Sequence, residues 1–322
     1  MEMKILVFAE TFDGLFKKST YESVHYCASI AEAHGGSVLA VVIGKATPLV
    51  EDLGKYGASE VVHINPNETM NFDSSAYASL LGQIADKQGA QAVIISGTTN
   101  GRALSGALAW GWDAGLLSNA VTLPSQMNPT QVKTKCFSSK GFAHAQSSEE
   151  RVIISFIPQS IGIQEHAVEA SVTDVDMPVN SALQVVSADR VSGKVPLPEA
   201  ECVVSAGRGL KGPENWGMIE ELAQVLGAST ACSKPVSDMG WRPHSEHVGQ
   251  TGIAINPEIY FAIGISGAIQ HLAGVSASKN IIVINKDPEA PFFKSADFGM
   301  VGDAFEIVPE LTRAIAEIKN QG

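Results

Sequence analysis

The chain has 322 residues, of which 45% are hydrophobic and 17% charged, and it carries 22 Lys and Arg against 34 Asp and Glu. This length allows two domains, each large enough to bury a core, because soluble domains are typically about 100–200 residues long. The net charge of −12 repels a phosphate backbone and no run of five basic residues interrupts it, which argues against nucleic acid as a partner.

The sequence also argues against secretion, a membrane span and a metal or disulfide framework. The first apolar run ends at Glu10, too early for a signal peptide, and the apolar stretch 259–269 is shorter than the roughly 20 residues that cross a bilayer. The four Cys have no metal-ligand spacing and are expected to be reduced. We therefore expect a cytoplasmic protein, or a mitochondrial matrix protein if a eukaryotic transit peptide has been removed.

The first half alternates short apolar runs with helical patterns. Residues 4–9 form one such run, after which Ser19 and Glu22 have the spacing of a capping box and predict a helix start. Apolar strands that alternate with helices are typical of a mostly parallel sheet covered on both faces. Further strands of this kind are predicted at 38–43, 61–64 and 92–95.

The first domain is predicted to cover 1–185 and to end in antiparallel strands. Residues 132–137 alternate loosely between apolar and polar side chains, and 151–157 also has a strand pattern. Residues 171–201 have no helical period and are rich in Pro and small polar residues. We therefore expect irregular chain there, with the linker itself at 186–198.

The second domain, 199–322, is predicted to be another α/β unit with a mostly parallel sheet flanked by helices. Ligands of open α/β sheets bind where strands end and the chain turns, so the loops after its strands are candidate sites. The predicted elements are strands at 202–206, 259–265 and 281–284, and helices at 214–226 and 309–319.

Three of these loops contain the candidate binding residues. The loop 205–212 has three Gly and two basic side chains, a composition that suits an anion. The loop 248–252 places Gln and Thr side chains between glycines. The loop 264–271 ends a strand and starts a helix, so Ser266 and the following N–H groups face the positive end of that helix. His271, about one turn into the helix, could direct a ring nitrogen at a ligand.

Each of these signals has an ordinary structural alternative. Gly-rich loops are often plain turns, and Asn285 and Asp303, each after an apolar run, are typical of caps or turns. Gly207, Gly209 and Gly212 also fit the GxGxxG spacing. The acidic ribose ligand expected about 20 residues later is not evident, however, so NAD binding is weakly supported.

Taken together, the loops resemble those of the electron transfer flavoprotein α-subunits. Residues 259–274 (IYFAIGISGAIQHLAG) and 284–288 (INKDP) are similar to that family's signature, and 205–212 and 248–252 match its other two FAD-binding loops in order. The first half resembles the family mainly in architecture and at residues 98–102 (TTNGR). The resemblance implies that the second domain is a Rossmann-like FAD-binding domain.

The resemblance also implies which residues contact the FAD. It places the pyrophosphate at 266–271 and the adenosine at Asn285 and Asp303, and it implies no catalytic or metal-binding residue. The isoalloxazine would lie between Arg208, Ser233, Gln250, Thr251 and His271. The complete implied cofactor set is Arg208, Ser233, Lys234, Val248, Gly249, Gln250, Thr251, Ser266, Gly267, Ala268, Ile269, Gln270, His271, Asn285 and Asp303.

Lys234 departs from the family's common pattern, in which an Arg stands beside the flavin ring. Lys keeps the positive charge but lacks the planar guanidinium that stacks and forms paired hydrogen bonds. How strongly this protein stabilises an anionic flavin is therefore a point to test.

The resemblance implies an electron shuttle rather than an enzyme with its own substrate. We expect the α-subunit of a heterodimer with a β-subunit, which takes electrons from acyl-CoA-type or similar dehydrogenases and passes them to a quinone reductase or similar acceptor. The residues agree with this role, because no acid–base pair, Ser/His/Asp array or metal cluster stands out, and a cofactor would hold the chemistry.

Three alternatives stay open at this point. The first is a subunit of a bifurcating flavoprotein that uses NADH and a second FAD in its partner, and the second is an NAD-dependent dehydrogenase with a related nucleotide-binding domain. The third concerns a first domain that binds no ligand and serves as a docking surface. Residues 103–117, which contain two Trp, could pack on a partner or in their own core.

Overall fold

The computed structural model describes residues 3–47, 49–65, 71–137, 141–187 and 195–321. The chain divides into two compact units, residues 1–189 and 190–322. Of the predicted linker at 186–198, residues 188–194 lie outside the described residues. The linker and the predicted domain bounds therefore stay predictions.

The first unit is built on a ten-stranded sheet. Its helices are α1 (Lys18–His34), α2 (Ser74–Gln88) and α3 (Thr99–Gly111), with a 3-10 helix at Val50–Tyr56. Its strands are β1 (Met3–Phe8), β2 (Thr11–Phe12), β3 (Leu15–Phe16), β4 (Gly36–Ile43), β5 (Glu60–Asn65), β6 (Ala92–Ser96), β7 (Gly115–Ala120), β8 (Gln126–Met127), β9 (Thr130–Cys136), β10 (Gly141–Ser147), β11 (Val152–Phe156) and β12 (Ser171–Asp176).

The sheet order is β10-β9-β7-β11-β6-β1-β4-β5-β12, with β8 paired to β9 and a separate β2–β3 pair. The pairs within the large sheet are parallel except where β9 meets β7, β8 and β10. Antiparallel pairing is therefore confined to one end of the sheet.

Strand alternation explains why helices cover both faces of this sheet. In β1, Ile5 and Val7 join the core that contains the α1 residue Val24, whereas Leu6 and Phe8 join the core built with α2 and α3. Successive side chains of a strand point to opposite faces, so a continuous apolar strand needs cover on both. The predicted α/β class is confirmed.

Two predictions about the end of this unit were wrong. The strand β11, predicted to be antiparallel, is parallel to both β6 and β7. Residues 171–176, predicted to be irregular, form β12, which is parallel to β5. Because β12 is an edge strand with mostly exposed side chains, it lacks the apolar alternation from which a strand can be predicted.

The predicted capping box of α1 is also absent. The helix begins at Lys18, so Ser19 is already helical, and no side chain caps this end. The Glu22 carboxylate instead accepts hydrogen bonds from the backbone N–H groups of Gln159 (2.7 Å) and Ile161 (2.9 Å). Glu22 therefore holds the loop after β11 against α1.

The two Trp side chains of 103–117 have opposite environments. Trp112 is buried, and its indole N–H donates to Asp86 Oδ1 at 2.9 Å. Trp110, on α3, is 91% exposed. The segment thus contributes one aromatic ring to the core and leaves the other on the surface of the unit.

The second unit has a five-stranded, all-parallel sheet in the order β14-β13-β15-β16-β17. Its strands are β13 (Cys202–Ala206), β14 (Ser229–Cys232), β15 (Ile259–Ile263), β16 (Asn280–Asn285) and β17 (Phe298–Val301). Its helices are α4 (Gly217–Leu226), α5 (Lys234–Asp238), α6 (Ile269–Val275) and α7 (Ala304–Gln321), with short 3-10 helices at Leu197–Glu199, Arg208–Leu210, Pro213–Asn215, His244–Glu246 and Pro291–Ser295.

The predicted elements of this unit are present with shifted ends. The helix predicted from 214 starts at Gly217, after a 3-10 turn, and the helix predicted from Pro309 starts at Ala304. The elements β14, α5 and β17 were not predicted. Four-residue strands and a five-residue helix are too short for a periodic pattern to reveal them.

Alternation on β15 again divides the core into two faces. Phe261 and Ile263 join the core formed with α4 and α7, whereas Tyr260 and Ala262 join the core on the opposite face. Phe292 packs in that second core. This alternation directs the Tyr260 side chain to the face opposite α4 and α7.

In the first unit, a buried carboxylate fills the place where open α/β sheets bind ligands. The strands β4 and β6 flank β1 on opposite sides, so the carboxyl end of β1 is a topological switch point. Glu10, just after β1, is buried. Its Oε2 accepts from Thr98 Oγ1 at 2.7 Å, and its Oε1 accepts from Asn100 Nδ2 at 2.9 Å and Lys17 Nζ at 3.3 Å.

We expect Glu10→Ala to lower the free energy of unfolding by about 2–3 kcal/mol, because it removes an acceptor that three buried or half-buried donors share. Glu10→Gln keeps the shape of the side chain and should cost less. Urea unfolding measures both, and Glu169→Ala, at an exposed carboxylate of the same unit, is the control. Equal midpoints for Glu10→Ala and Glu169→Ala would contradict a stabilising role for Glu10.

Candidate functional site

A cleft of about 750 Å³ opens at the carboxyl ends of the strands of the second unit. The register aligns Ala206 with Cys232 on one side and with Ile263 on the other, and Ile263 with Ile284. The loops that follow these four residues therefore start from one row. β14 and β15 flank β13 on opposite sides, so the cleft lies at the switch point of this sheet.

Twelve of the fifteen predicted cofactor residues line this cleft. Three do not line it. Gly267 packs against Phe292, and the Ile269 side chain is exposed. Asp303 caps the start of α7, where it accepts a hydrogen bond from Phe305 N–H at 3.0 Å. The residues in the lining are Arg208, Ser233, Lys234, Val248, Gly249, Gln250, Thr251, Ser266, Ala268, Gln270, His271 and Asn285.

Two glycines let the loops after β13 and β15 approach each other. A Cβ on Gly209 would lie 2.6 Å from Gly264 Cα, a distance that real Cβ contacts essentially never show. Gly264 has φ of +60°, and its carbonyl accepts from Gly209 N–H at 3.1 Å. Gly209, in the 205–212 loop, thus lets this loop approach the backbone at Gly264. The loop is a Gly-rich turn, and it also lies in the cleft lining.

The loop 248–252 is fixed at both of its sides. Val248 N–H donates to Cys232 O at 3.1 Å, and Gln250 N–H donates to Gln270 O at 2.7 Å. The Gln250 and Thr251 side chains are exposed in the cleft lining. Their donor and acceptor groups are therefore available to a ligand.

Asn285 and Asp303, predicted for the adenosine, have different places. Asn285 lines the cleft, but its Nδ2 donates to Ile265 O at 2.9 Å and its Oδ1 accepts from Asp287 N–H at 3.0 Å. Asp303 caps a helix, as described above. Both side chains thus make the structural bonds that caps and turns make, and their adenosine contacts stay predictions.

His271 is a buried, neutral imidazole in the cleft wall. Its side chain is 7% exposed, and its Nε2 lies 2.7 Å from Tyr260 Oη. Burial, and then the neighbouring His247, lower the pKa of His271 to about 4, against a smaller opposing effect of the Val248 backbone. His271 Nδ1 is buried. The effect of Val248 on the pKa is that of a backbone hydrogen bond, but no hydrogen bond of normal length and angle joins Nδ1 to a described residue.

His247 is a cleft residue that the sequence analysis did not single out. It is buried, and burial lowers its pKa, with a further lowering from the positive charge of Lys234. Lys234 itself is exposed and lines the cleft at the start of α5. No motif marks His247, because its place depends on a bridge between Cys232 and His247 that only the fold creates.

Two kinds of feature are absent from the described residues. None of their helices is both long and apolar enough to cross a membrane. Nor do they contain a group of three or more His, Cys, Asp and Glu placed to hold a metal ion.

Comparison with known proteins supports the place and kind of this site. Residues 5–179 match the electron transfer flavoprotein domain, and residues 196–276 match the electron transfer flavoprotein FAD-binding domain. The chain belongs to the electron transfer flavoprotein α-subunit family. The cleft lies within and just beyond the part that matches the FAD-binding domain.

Relatives of this family align with nearly the whole chain. An electron transfer flavoprotein subunit alpha of Syntrophomonas wolfei is 36% identical over 97% of this chain and 98% of its own length. One of Bacillus subtilis is 32% identical over 99% of both chains. The lactate dehydrogenase (NAD(+),ferredoxin) subunit LctC of Acetobacterium woodii is 30% identical over 98% of this chain and 78% of its own.

Acid should destabilise the chain through His271. Its pKa is lowered to about 4 in the fold from about 6.5 in the unfolded chain, so only the unfolded chain binds a proton between these values. The contribution of the neutral His271 ring to the free energy of unfolding is complete above about pH 6.5 and decreases as the pH falls toward 4. At pH 5 this contribution should be lower by about 2 kcal/mol.

Urea unfolding of the flavin-free full chain at pH 7 and pH 5 measures this loss. His271→Gln should reduce the loss by about 2 kcal/mol and leave the part due to His247 and His25, whose pKa values burial also lowers. His144→Gln, at an exposed histidine of the first unit, should leave the whole loss in place. An unchanged pH dependence in His271→Gln would show that the buried ring is not its source.

Proposed function

We propose that this chain is the FAD-carrying α-subunit of a heterodimeric electron shuttle. With a β-subunit it would take electrons from acyl-CoA-type or similar dehydrogenases and pass them to a quinone reductase or similar acceptor. The observation that carries the proposal is the cleft at the switch point of the second unit, lined by twelve of the fifteen predicted cofactor residues. The match of residues 196–276 to an FAD-binding domain supports it.

The residues of the cleft fit an FAD. The volume of the cleft, about 750 Å³, lies within the range of about 300–1,000 Å³ that is common for ligand sites. Gly209 and Gly264, both in the lining, let the loops after β13 and β15 meet without a side chain between them. His271 Nδ1, buried without a hydrogen-bond partner among the described residues, is a polar atom that a ligand could satisfy.

Bound FAD would supply the electron-carrying chemistry, and the protein would supply position and electrostatics. Gln250 and Thr251 offer donors and acceptors to the edge of a ring, and Ser266 offers a hydroxyl to a phosphate. Arg208 and Lys234 place two cations in the lining, where they favour an anionic ligand.

A bifurcating role is the second candidate, and a relative's name favours it. The Acetobacterium woodii relative is named as a subunit of a lactate dehydrogenase that uses NAD(+) and ferredoxin. The cofactor content of the heterodimer distinguishes the two roles: one FAD supports a simple shuttle, and a second FAD in the partner supports bifurcation.

An NAD-dependent dehydrogenase has less support from the site. In such domains an acidic side chain about 20 residues after the Gly-rich loop binds a ribose. Here that part of the chain is the start of β14, which has no acidic residue, and β14 is followed by Ser233 and Lys234. The visible absorption spectrum of the purified protein separates a flavoprotein from an NAD enzyme.

The chain, produced with its β-subunit, should hold non-covalent FAD in preference to FMN after gel filtration. Gly209→Ala should reduce the retained FAD at least tenfold, because its Cβ would push the loop away from Gly264. Gly217→Ala, where a Cβ would meet open space, is the matched control. Thermal melts of both variants separate a lost site from a lost fold, and full FAD retention in a folded Gly209→Ala would contradict the assigned cleft.

Lys234→Gln should lower the potential of the first reduction step of the bound flavin by about 40 mV. An exposed charge interaction is worth about 1 kcal/mol, which corresponds to this shift for one electron. Lys234→Arg should preserve or raise the potential, because guanidinium keeps the charge and adds stacking.

Stepwise reduction in the presence of a dye of known potential, followed by absorbance, measures these potentials. Lys294→Gln, which removes the same charge from an exposed residue outside the cleft lining, is the control. Identical potentials for the wild type and for all three variants would mean that Lys234 has no electrostatic role at the flavin.

A further inference from the structure

Tyr260 and His271 form a buried pair behind the proposed cofactor cleft. The Tyr260 side chain is fully buried, and its Oη lies 2.7 Å from His271 Nε2. Phe292 packs against both rings, with centroids 6.3 Å from Tyr260 and 5.8 Å from His271. The three aromatic rings therefore hold one another in place.

The proton of a neutral imidazole resides on one ring nitrogen only. The other nitrogen is an acceptor, so the partner of one nitrogen decides what the opposite nitrogen can offer. His271 is neutral at pH 7, because burial lowers its pKa to about 4. The partner of Nε2 thus determines whether Nδ1 donates or accepts.

The Tyr260 hydroxyl is the group that settles this choice. Burial raises the pKa of Tyr260, so its oxygen keeps the proton. Among the described residues, His271 Nε2 is the acceptor found at hydrogen-bond distance from that hydroxyl. Ser205 lowers the pKa of Tyr260 through a side-chain hydrogen bond, as a hydroxyl that donates to the Tyr260 oxygen does, so Ser205 does not accept the Tyr260 proton. A buried O–H that donated nowhere would be costly, so the hydroxyl donates to Nε2.

We propose that Tyr260 is a positioning residue that fixes the tautomer of His271. Its hydroxyl occupies Nε2 as an acceptor, the proton of the ring resides on Nδ1, and His271 offers an N–H donor to an acceptor atom of the ligand in the cleft. The inference deepens the proposed function, on which it rests for the identity of that ligand.

This role explains two features that the cleft residues alone leave unexplained. Nδ1 is buried, and no hydrogen bond of normal length and angle joins it to a described residue. The hydrogen bond with the Val248 backbone that partly offsets the lowering of the His271 pKa has a carbonyl as its acceptor, so it also requires the proton on Nδ1. Tyr260 itself is not part of the cleft lining, so its hydroxyl acts through His271 rather than on the ligand.

The tautomer can be measured directly. In the full chain labelled with 15N in its imidazole rings, two-bond 1H–15N spectra distinguish protonated from unprotonated ring nitrogens, and His271→Gln assigns the signal. We expect His271 in the Nδ1–H form at pH 7. An Nε2–H form in the wild-type chain would overturn the proposal, whether or not any variant folds.

Tyr260→Phe tests the cause. It should shift His271 toward the Nε2–H form and raise the dissociation constant for FAD about fivefold, as expected for one weakened neutral hydrogen bond. Tyr26→Phe is the matched control, because Tyr26 is equally buried and donates its hydroxyl to Thr122 O at 2.9 Å in the first unit. An unchanged His271 tautomer in folded Tyr260→Phe would also overturn the proposal.

The two proposals fail in different ways. If the wild-type chain shows the Nδ1–H tautomer but retains no flavin with its β-subunit, the FAD assignment fails and the role of Tyr260 stands. If flavin is retained but the tautomer is Nε2–H, the role of Tyr260 fails and the FAD assignment stands.

Discussion

The close approach of two backbones at the carboxyl ends of β13 and β15 determines the cleft. Gly209 and Gly264 meet at a distance that no Cβ could tolerate, and the hydrogen bond between them closes the contact. This contact fixes two of the loops that line the cleft. A bulkier residue at either glycine would force the loops after β13 and β15 apart.

The same rule of fold geometry has opposite outcomes in the two units. Each sheet has a switch point at which an open α/β fold can bind a ligand. In the first unit Glu10 fills this place with the chain's own carboxylate, which three side-chain donors satisfy. In the second unit the place is a cleft of about 750 Å³. The two switch points therefore differ in kind: one is filled by a hydrogen-bonded carboxylate and the other is open.

The fold class and three loops of the cleft could be predicted because both depend on local patterns, whereas Ser233 and Lys234 were implied by the resemblance to the family. Apolar runs reveal buried strands, and the residues after parallel strands meet at one edge of the sheet. β12 could not be predicted, since its side chains are mostly exposed and its strand state depends on pairing with β5. The capping box predicted from Ser19 and Glu22 was wrong for a related reason. The Glu22 carboxylate accepts a hydrogen bond from Gln159 N–H, 137 residues away in sequence.

Contacts between distant segments also explain which site residues were missed. His247 enters the cleft through pairing beside Cys232, and Tyr260 matters through a bond to a side chain eleven positions later. Asp303 shows the reverse case, because its place after an apolar run is typical of a cap or turn, and its side chain caps α7. Spacing identifies which loops meet, but not which side chains the surrounding packing leaves free.

Burial divides the polar groups of the cleft into two kinds of electrostatic control. Arg208 and Lys234 are exposed, so water and salt screen their charges. Their electrostatic effect on a ligand therefore extends over several ångströms, but the interaction energy of each charge is small. His271 is neutral and buried, so it acts only on an atom in hydrogen-bond contact, and there the low local dielectric makes the interaction stronger. A site of this kind can set the orientation of a ring with its buried groups while its exposed cations adjust the stability of the ring's charge.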